Sequence, residues 1–146
     1  MPIIHQILTL TTKPGISVQN LNLQLQDAVA ASKVSNGQLL VFVRHTTTAL
    51  VINEDEERLI HDLKQHLARL APPAGRYFHN DLHLRTVPDD EPINAHSHLM
   101  AMMLSTSEVV PIMNGNLMLG TWQSVLFLDL DGPRERTVYL QISGEA

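Results

Sequence analysis

The sequence predicts an α+β fold, and three observations carry that reading. Two helical patterns fall in the first half, the second half reads as short strands separated by turns, and no internal repeat links the parts. At 146 residues the chain is expected to form one domain spanning 1–146, long enough to bury about two-thirds of its unfolded surface.

Residues 3–12, IIHQILTLTT, alternate and contain β-branched positions, which predicts a first strand ended by Pro14-Gly15. Ser17 stands where an N-cap belongs. Val18, Leu21, Leu25, Ala28 and Val29 share one helical face, so a helix is expected from there to about Lys33, closed by an Asn36-Gly37 turn. Residues 38–44, QLLVFVR, are apolar without alternation, the pattern of a strand buried on both faces. They lead into His45-Thr46-Thr47-Thr48, where the core would hold a histidine at a strand exit, or the threonines would simply continue an edge pairing.

Ala49 to Ile52 is a short apolar strand, and Asn53 is a candidate N-cap for the next helix. Its first turn, Glu54-Asp55-Glu56-Glu57, places carboxylates where the helix dipole favours them. Leu59, Leu63, Leu67 and Leu70 form its stripe, His61 and His66 lie away from it, and Pro72-Pro73 stops it. Leu99 to Leu104 fits a short helix or strand. Glu108 to Met113 and Leu117 to Leu119 flank the hairpin turn Asn114-Gly115-Asn116. Gly120-Thr121-Trp122-Gln123 interrupts that strand as a bulge or ligand approach would. Ser124 to Leu130 and Glu135 to Ile142 are the last strands, with Asp131 to Arg134 turning between them.

Residues 79–98, HNDLHLRTVPDDEPINAHSH, hold four of the eight histidines. If the first part is extended, His79, Asp81 and His83 share a face and could supply metal ligands or a proton-transfer pair. The acidic, proline-containing stretch Pro88 to Asn94 reads as a loop that returns His96 and His98 toward them, although a solvated surface loop would have the same composition. Should a helix begin near Asn94, His96 and His98 would point about 200° apart.

The net charge of −5 and the lack of Lys/Arg clusters argue against nucleic-acid binding, because phosphate neutralisation needs a basic face. The absence of cysteine removes disulfides, thiolate metal sites and a cysteine nucleophile. With no signal-peptide pattern and no run near the roughly 20 apolar residues of a membrane span, a cytoplasmic protein without membrane contact is expected.

Three separated stretches together resemble the YjbQ-like family, also described as secondary thiamine-phosphate synthase. They are HTTTALVINEDEE from His45, NAHSHL from Asn94, and NGNLMLGTWQSVLFLDLDGPRER from Asn114. The resemblance implies a β-sandwich-like α+β fold with antiparallel or mixed sheets and two to three helices, a homotrimer, and a polar pocket near subunit boundaries. Carried over by position, its site residues are His45 ahead of the threonines, Asn53 and Glu54, His98, and Gly120 to Gln123. The family tends to carry Glu-x-Asp before Gly-Pro-Arg, where this chain has Asp129-Leu130-Asp131.

The implied activity joins a pyrimidine pyrophosphate to a thiazole phosphate, giving thiamine phosphate as a possible side activity. Such chemistry asks for a divalent metal, Mg²⁺ or Zn²⁺, and an aromatic surface. On this reading His45, Glu54 and His98 are catalytic. Thr46, Thr47, Asn53, Trp122, Gln123 and Arg134 (or Arg136) meet the substrate, and His79, Asp81 and His98 hold the metal. Two other readings stay open: a metal-dependent hydrolase using His and Asp ligands, and a non-catalytic trimer that binds a small molecule.

Overall fold

The computed structural model describes residues 1–146 as eight strands, three α-helices and two 3₁₀ turns. Strand β1 (Ile3–Thr11) is followed by β2 (Gly15–Asn20), helix α1 (Asn22–Ser32), β3 (Asn36–Val43) and β4 (Thr48–Asn53). Helix α2 (Glu57–Leu70), the 3₁₀ turns and helix α3 (Ala95–Met102) come next. The chain ends with β5 (Ser107–Met113), β6 (Asn116–Leu117), β7 (Ser124–Gly132) and β8 (Glu135–Glu145). Two antiparallel sheets result, one ordered β1-β8-β3-β5-β6 and the other β2-β7-β4.

Period-two alternation decides what lies between the sheets. Leu39, Val41 and Val43 of β3, Val110 and Ile112 of β5, and Val138, Leu140 and Ile142 of β8 face inward. They meet Leu50, Val125 and Phe127 from the smaller sheet, and Leu21, Leu25, Ala28 and Val29 around α1. Strand β7 is buried on both faces, because Leu126, Leu128 and Leu130 point the other way, onto Leu67, Met100 and Ala101 of α2 and α3.

Several expectations are corrected. Ser17 and Val18 belong to β2, paired with Asp129 and Leu128, because β7 needs a partner on each edge and their pairing outweighs the local helical pattern. Helix α1 therefore starts at Asn22 and ends at Lys33, which takes the left-handed conformation (φ 60°). Asn36-Gly37 is not a turn but the start of β3, where a Cβ on Gly37 would lie 2.0 Å from the Ser143 carbonyl oxygen. The N-cap of α2 is Glu56, whose carboxylate accepts from the Arg58 and Leu59 amides, while Asn53 closes β4.

The apolar run in β3 is not covered on both faces, since Phe42 stays 39% exposed. With Leu40, Ile3 and Ile7 of β1, and Val109 and Met113 of β5, it forms an apolar outer face on the larger sheet. Gly120 to Gln123 is the crossing by which the chain leaves the larger sheet after β6 and enters the smaller at β7. Asn114 and Gly115 form the expected turn with φ of 50° and 76°.

Phe127 is fully buried between the layers. Phe127→Ala is expected to lower unfolding free energy by about 3–5 kcal/mol in urea titrations; a loss below about 1 kcal/mol would show that the core collapses around the gap.

Candidate functional site

Two charged side chains occupy inward positions among apolar ones: Asp129 after Val125 and Phe127 on β7, and Arg136 before Val138 and Leu140 on β8. They meet across the sandwich as a two-pronged ion pair. Arg136 Nε donates to Asp129 Oδ2 and Nη2 to Oδ1, each at 2.9 Å. The Thr12 hydroxyl donates to Oδ2 at 2.6 Å and the Asp131 amide to Oδ1 at 2.9 Å, so the carboxylate is saturated. Burial alone would raise the Asp129 carboxyl, but the bonds from Arg136 and Thr12 outweigh it and hold it below the ordinary carboxylate range.

This pair positions the segment between β3 and β4. Arg136 Nη2 donates to the Thr47 hydroxyl at 2.8 Å, and the Leu130 amide donates to the Thr47 carbonyl at 2.9 Å. His45 Nε2 accepts from the Thr137 amide at 3.1 Å, and Arg136 Nη1 lies 3.5 Å from Nδ1. Burial and the neighbouring Arg136 lower the His45 pKa, which favours the neutral ring.

The Thr46 backbone is close enough to the His98 ring to favour its protonated form, which sets the second imidazole beside the same segment. Burial and nearby His79 lower the His98 pKa as well; the two rings meet edge to face with centroids 4.7 Å apart. Asp131, which accepts from Asn94 Nδ2 at 2.7 Å and Arg134 Nη2 at 2.9 Å, is near enough to His98 to favour its protonation. A cavity of about 310 Å³ opens beside the two rings, lined by Tyr77, Phe78, Leu99 and Met102 among others. On its wall His79 Nε2 is buried without a hydrogen-bond partner in the chain, as are Asn94 Oδ1 and His96 Nδ1 at the start of α3.

The structure thus brings together His45, Thr46, Thr47, His79, His98 and Arg134. Other predicted residues lie elsewhere. The His-x-Asp-x-His stretch is not extended; two 3₁₀ turns, Phe78–Asn80 and Leu82–Leu84, separate its side chains, and both Asp81 oxygens accept from Arg76. No three His, Asp or Glu side chains converge in a metal-holding group, so the set His79, Asp81 and His98 is not assembled in the chain. Because α3 begins at Ala95, His96 and His98 diverge. Asn53, Glu54, Trp122 and Gln123 sit at the opposite end of the smaller sheet, five positions and roughly 17 Å along β4 from Thr48. Trp122 is 73% exposed there.

Sequence reasoning undervalued Asp129, Asp131, Asn94 and Thr12. A signal was present: Asp129, the first of two acids in SVLFLDLDG, and Arg136, the one base in ERTVYLQI, each fall on the inward phase of a buried strand.

The fold and site define a class: a two-sheet antiparallel sandwich with helices over the smaller sheet and a histidine-arginine cluster at the end where β7 turns into β8. The chain belongs to the family described as UPF0047 protein YjbQ-like, which matches residues 6–145. A UPF0047 protein of Methanothermobacter thermautotrophicus is 37% identical over 145 residues, covering 99% of this chain and 95% of its own. One from Archaeoglobus fulgidus is 40% identical over 134 residues, covering 92% and 97%. Among solved structures, a hypothetical protein of Aeropyrum pernix K1 superposes with a TM-score of 0.88 at 36% identity, covering 97% of this chain and 99% of that one. A YbjQ-like protein of unknown function from Sulfolobus solfataricus P2 gives 0.88 at 32%, covering 99% of each.

Asp129→Ala leaves Arg136 buried without its counter-charge and is expected to cost about 3–5 kcal/mol in chemical unfolding; a cost under about 1 kcal/mol would mean that the pair organises nothing. Both imidazoles have folded pKa values below the unfolded value of about 6.5, so the unfolded chain binds protons first. Stability is expected to fall as pH drops below about 6.5, and His45→Gln/His98→Gln to flatten that profile. An unchanged slope in thermal unfolding between pH 5 and 7.5 would exclude these two rings as its source.

Proposed function

We propose that the end of the sandwich around His45, His98 and Arg134 binds a phosphorylated small molecule, and that thiamine-phosphate formation is a reaction this site supports. The observation that carries the proposal is the His45-Thr46-Thr47 run, which sets the His45 and His98 imidazoles beside one buried Arg136–Asp129 pair. The His45 ring lies against the Arg136 guanidinium, whose charge Asp129 balances, so anionic oxygen arriving at this end does not meet a buried excess of positive charge. Arg134, 42% exposed at its side chain, keeps donors free beyond those on Asp131.

In the proposed transfer, the thiazole ring nitrogen supplies the electron pair for a new C–N bond to the pyrimidine's methylene carbon. The C–O bond to the diphosphate breaks and its electrons leave with pyrophosphate. Donation from Arg134 and His98 to the departing oxygens stabilises the charge that develops. His45 and Thr47 hold the strand link in place, and no step is routed through a resident metal, for which the chain does not assemble three ligands. That same geometry leaves the metal-dependent hydrolase without support.

The proposal includes a homotrimer. Asn53, Glu54, Trp122 and Gln123 share the family's pattern with His45 and His98, yet stand at the far end of the same sheet, so a neighbouring copy would have to supply them. The apolar outer face of the larger sheet favours such an assembly.

Purified protein given both thiamine precursors with Mg²⁺ should release thiamine phosphate and pyrophosphate. His98→Ala and Arg134→Ala should each lose at least about tenfold in kcat/KM, a tenfold loss being about 1.4 kcal/mol of transition-state stabilisation. No product above the His98→Ala background would reject the transferase; precursors that raise the melting temperature without being consumed would instead identify a binding protein. Light scattering should give three times the 16.3 kDa chain mass, and a monomer would sink the shared-site reading.

A further inference from the structure

The cavity beside His79 and His98 has apolar walls that the phosphate site leaves unused. Helix α3 carries two stripes. Ser97, Met100 and Ala101 turn onto β7 and the core beside it, whereas Ala95, His98, Leu99 and Met102, spaced i, i+3, i+4 and i+7, line the cavity of about 310 Å³. Met102 is 78% exposed and Leu99 is exposed as well, so the chain leaves this second stripe largely uncovered.

The remaining wall comes from Tyr77, Phe78 and His79 at the first 3₁₀ turn, where Phe78 is 91% exposed. That exposure is not the slackness of a free loop. Arg85 Nη1 donates to the His79 carbonyl at 2.7 Å, the Tyr77 hydroxyl donates to the Pro72 carbonyl at 2.8 Å, and Asn80 Oδ1 accepts from the Ala95 amide at 3.2 Å. The turn is thereby tied to α3 and holds an apolar ring in water, a cost that burial under a ligand would recover.

The cavity has one polar side. His98 belongs both to its wall and to the anion-binding end, because Asp131 lies near that ring and accepts from Arg134 Nη2 at 2.9 Å. A ligand that reaches from Arg134 past His98 passes directly from donors to apolar surface.

We propose, resting on the phosphate site inferred above, that this cavity is its ring subsite: it takes a single aromatic ring joined by a short linker to the phosphate, and Phe78, Leu99 and Met102 select that ring over a sugar. A sugar phosphate would turn hydroxyls toward these three side chains and give up their bonds to water without replacement. An aromatic ring gives up none and buries its faces. A volume near the lower end of the roughly 300–1,000 Å³ range of small-molecule pockets suits one ring with its substituents. The subsite is part of the shared site, and side chains from a neighbouring copy would meet the ring from the open side.

Isothermal titration calorimetry of the full chain with benzyl phosphate and ribose 5-phosphate, two monoesters of equal charge, tests the assignment. Benzyl phosphate should bind at least about tenfold more tightly. Phe78→Ser and Met102→Ser change exposed positions and should each weaken benzyl phosphate about threefold or more while leaving ribose 5-phosphate within about twofold, in variants whose melts remain cooperative. Leu99→Trp, which fills the cavity, should remove the preference, and Arg134→Ala should weaken both phosphates together. Equal affinity for the two, with both weakened by Arg134→Ala, would overturn the ring subsite and keep the phosphate site. Failure of both to bind would overturn the two together. A benzyl preference that survives all three cavity variants would put the ring elsewhere and overturn the subsite.

Discussion

The buried pair between Asp129 and Arg136 is the interaction on which the rest of this molecule depends. Desolvating two charges costs several kcal/mol each, and only close, multiply bonded geometry returns that cost. The chain meets the demand from four directions: Thr12 at the end of β1, the Asp131 amide at the β7–β8 turn, Thr47 ahead of β4, and the paired side chains themselves. The pair thereby fixes one end of the sandwich, where strands of both sheets come together. His45 and His98 are placed by that same construction, since the link they share is bonded to Arg136 and to β7.

Strand β7 gives the molecule its two working faces. Its inward phase, Val125, Phe127 and Asp129, builds the interlayer core and then the polar network. Its outward phase, Leu126, Leu128 and Leu130, carries the helices, of which α3 lines the cavity beside His98. One strand with two kinds of neighbour explains how a domain of 146 residues sets an apolar cavity beside a polar network without a second domain.

Elements whose stabilising partners are near in sequence were legible. The helix of α2 with its Pro72-Pro73 stop and the Asn114-Gly115 hairpin follow from local chemistry, and the structure has them, but of the stripe Leu59, Leu63, Leu67 and Leu70 expected to be buried only Leu67 is, with Leu59 and Leu70 exposed. The histidine before the threonines was legible as a residue held by the core. Ser17 and Val18 were misread because their helical phase is real but weaker than pairing with Asp129 and Leu128, more than a hundred residues away. The stretch from His79 to His83 alternates in sequence, yet it has no neighbouring strand to pair with, and 3₁₀ turns satisfy its amides locally instead.

By itself the sequence determined the class of fold, the presence of two helices in the first half, the absence of thiol chemistry and the family pattern, because each is written in residue type and short-range period. Only the tertiary structure decided that Asp129 and Arg136 neutralise each other between the sheets, that His98 lies beside the segment carrying His45, and that Asn53 and its neighbours stand at the other end of the smaller sheet. Those outcomes rest on antiparallel register between distant strands. Register is set by which faces bury together, a property of the assembled layers that no single stretch of chain contains.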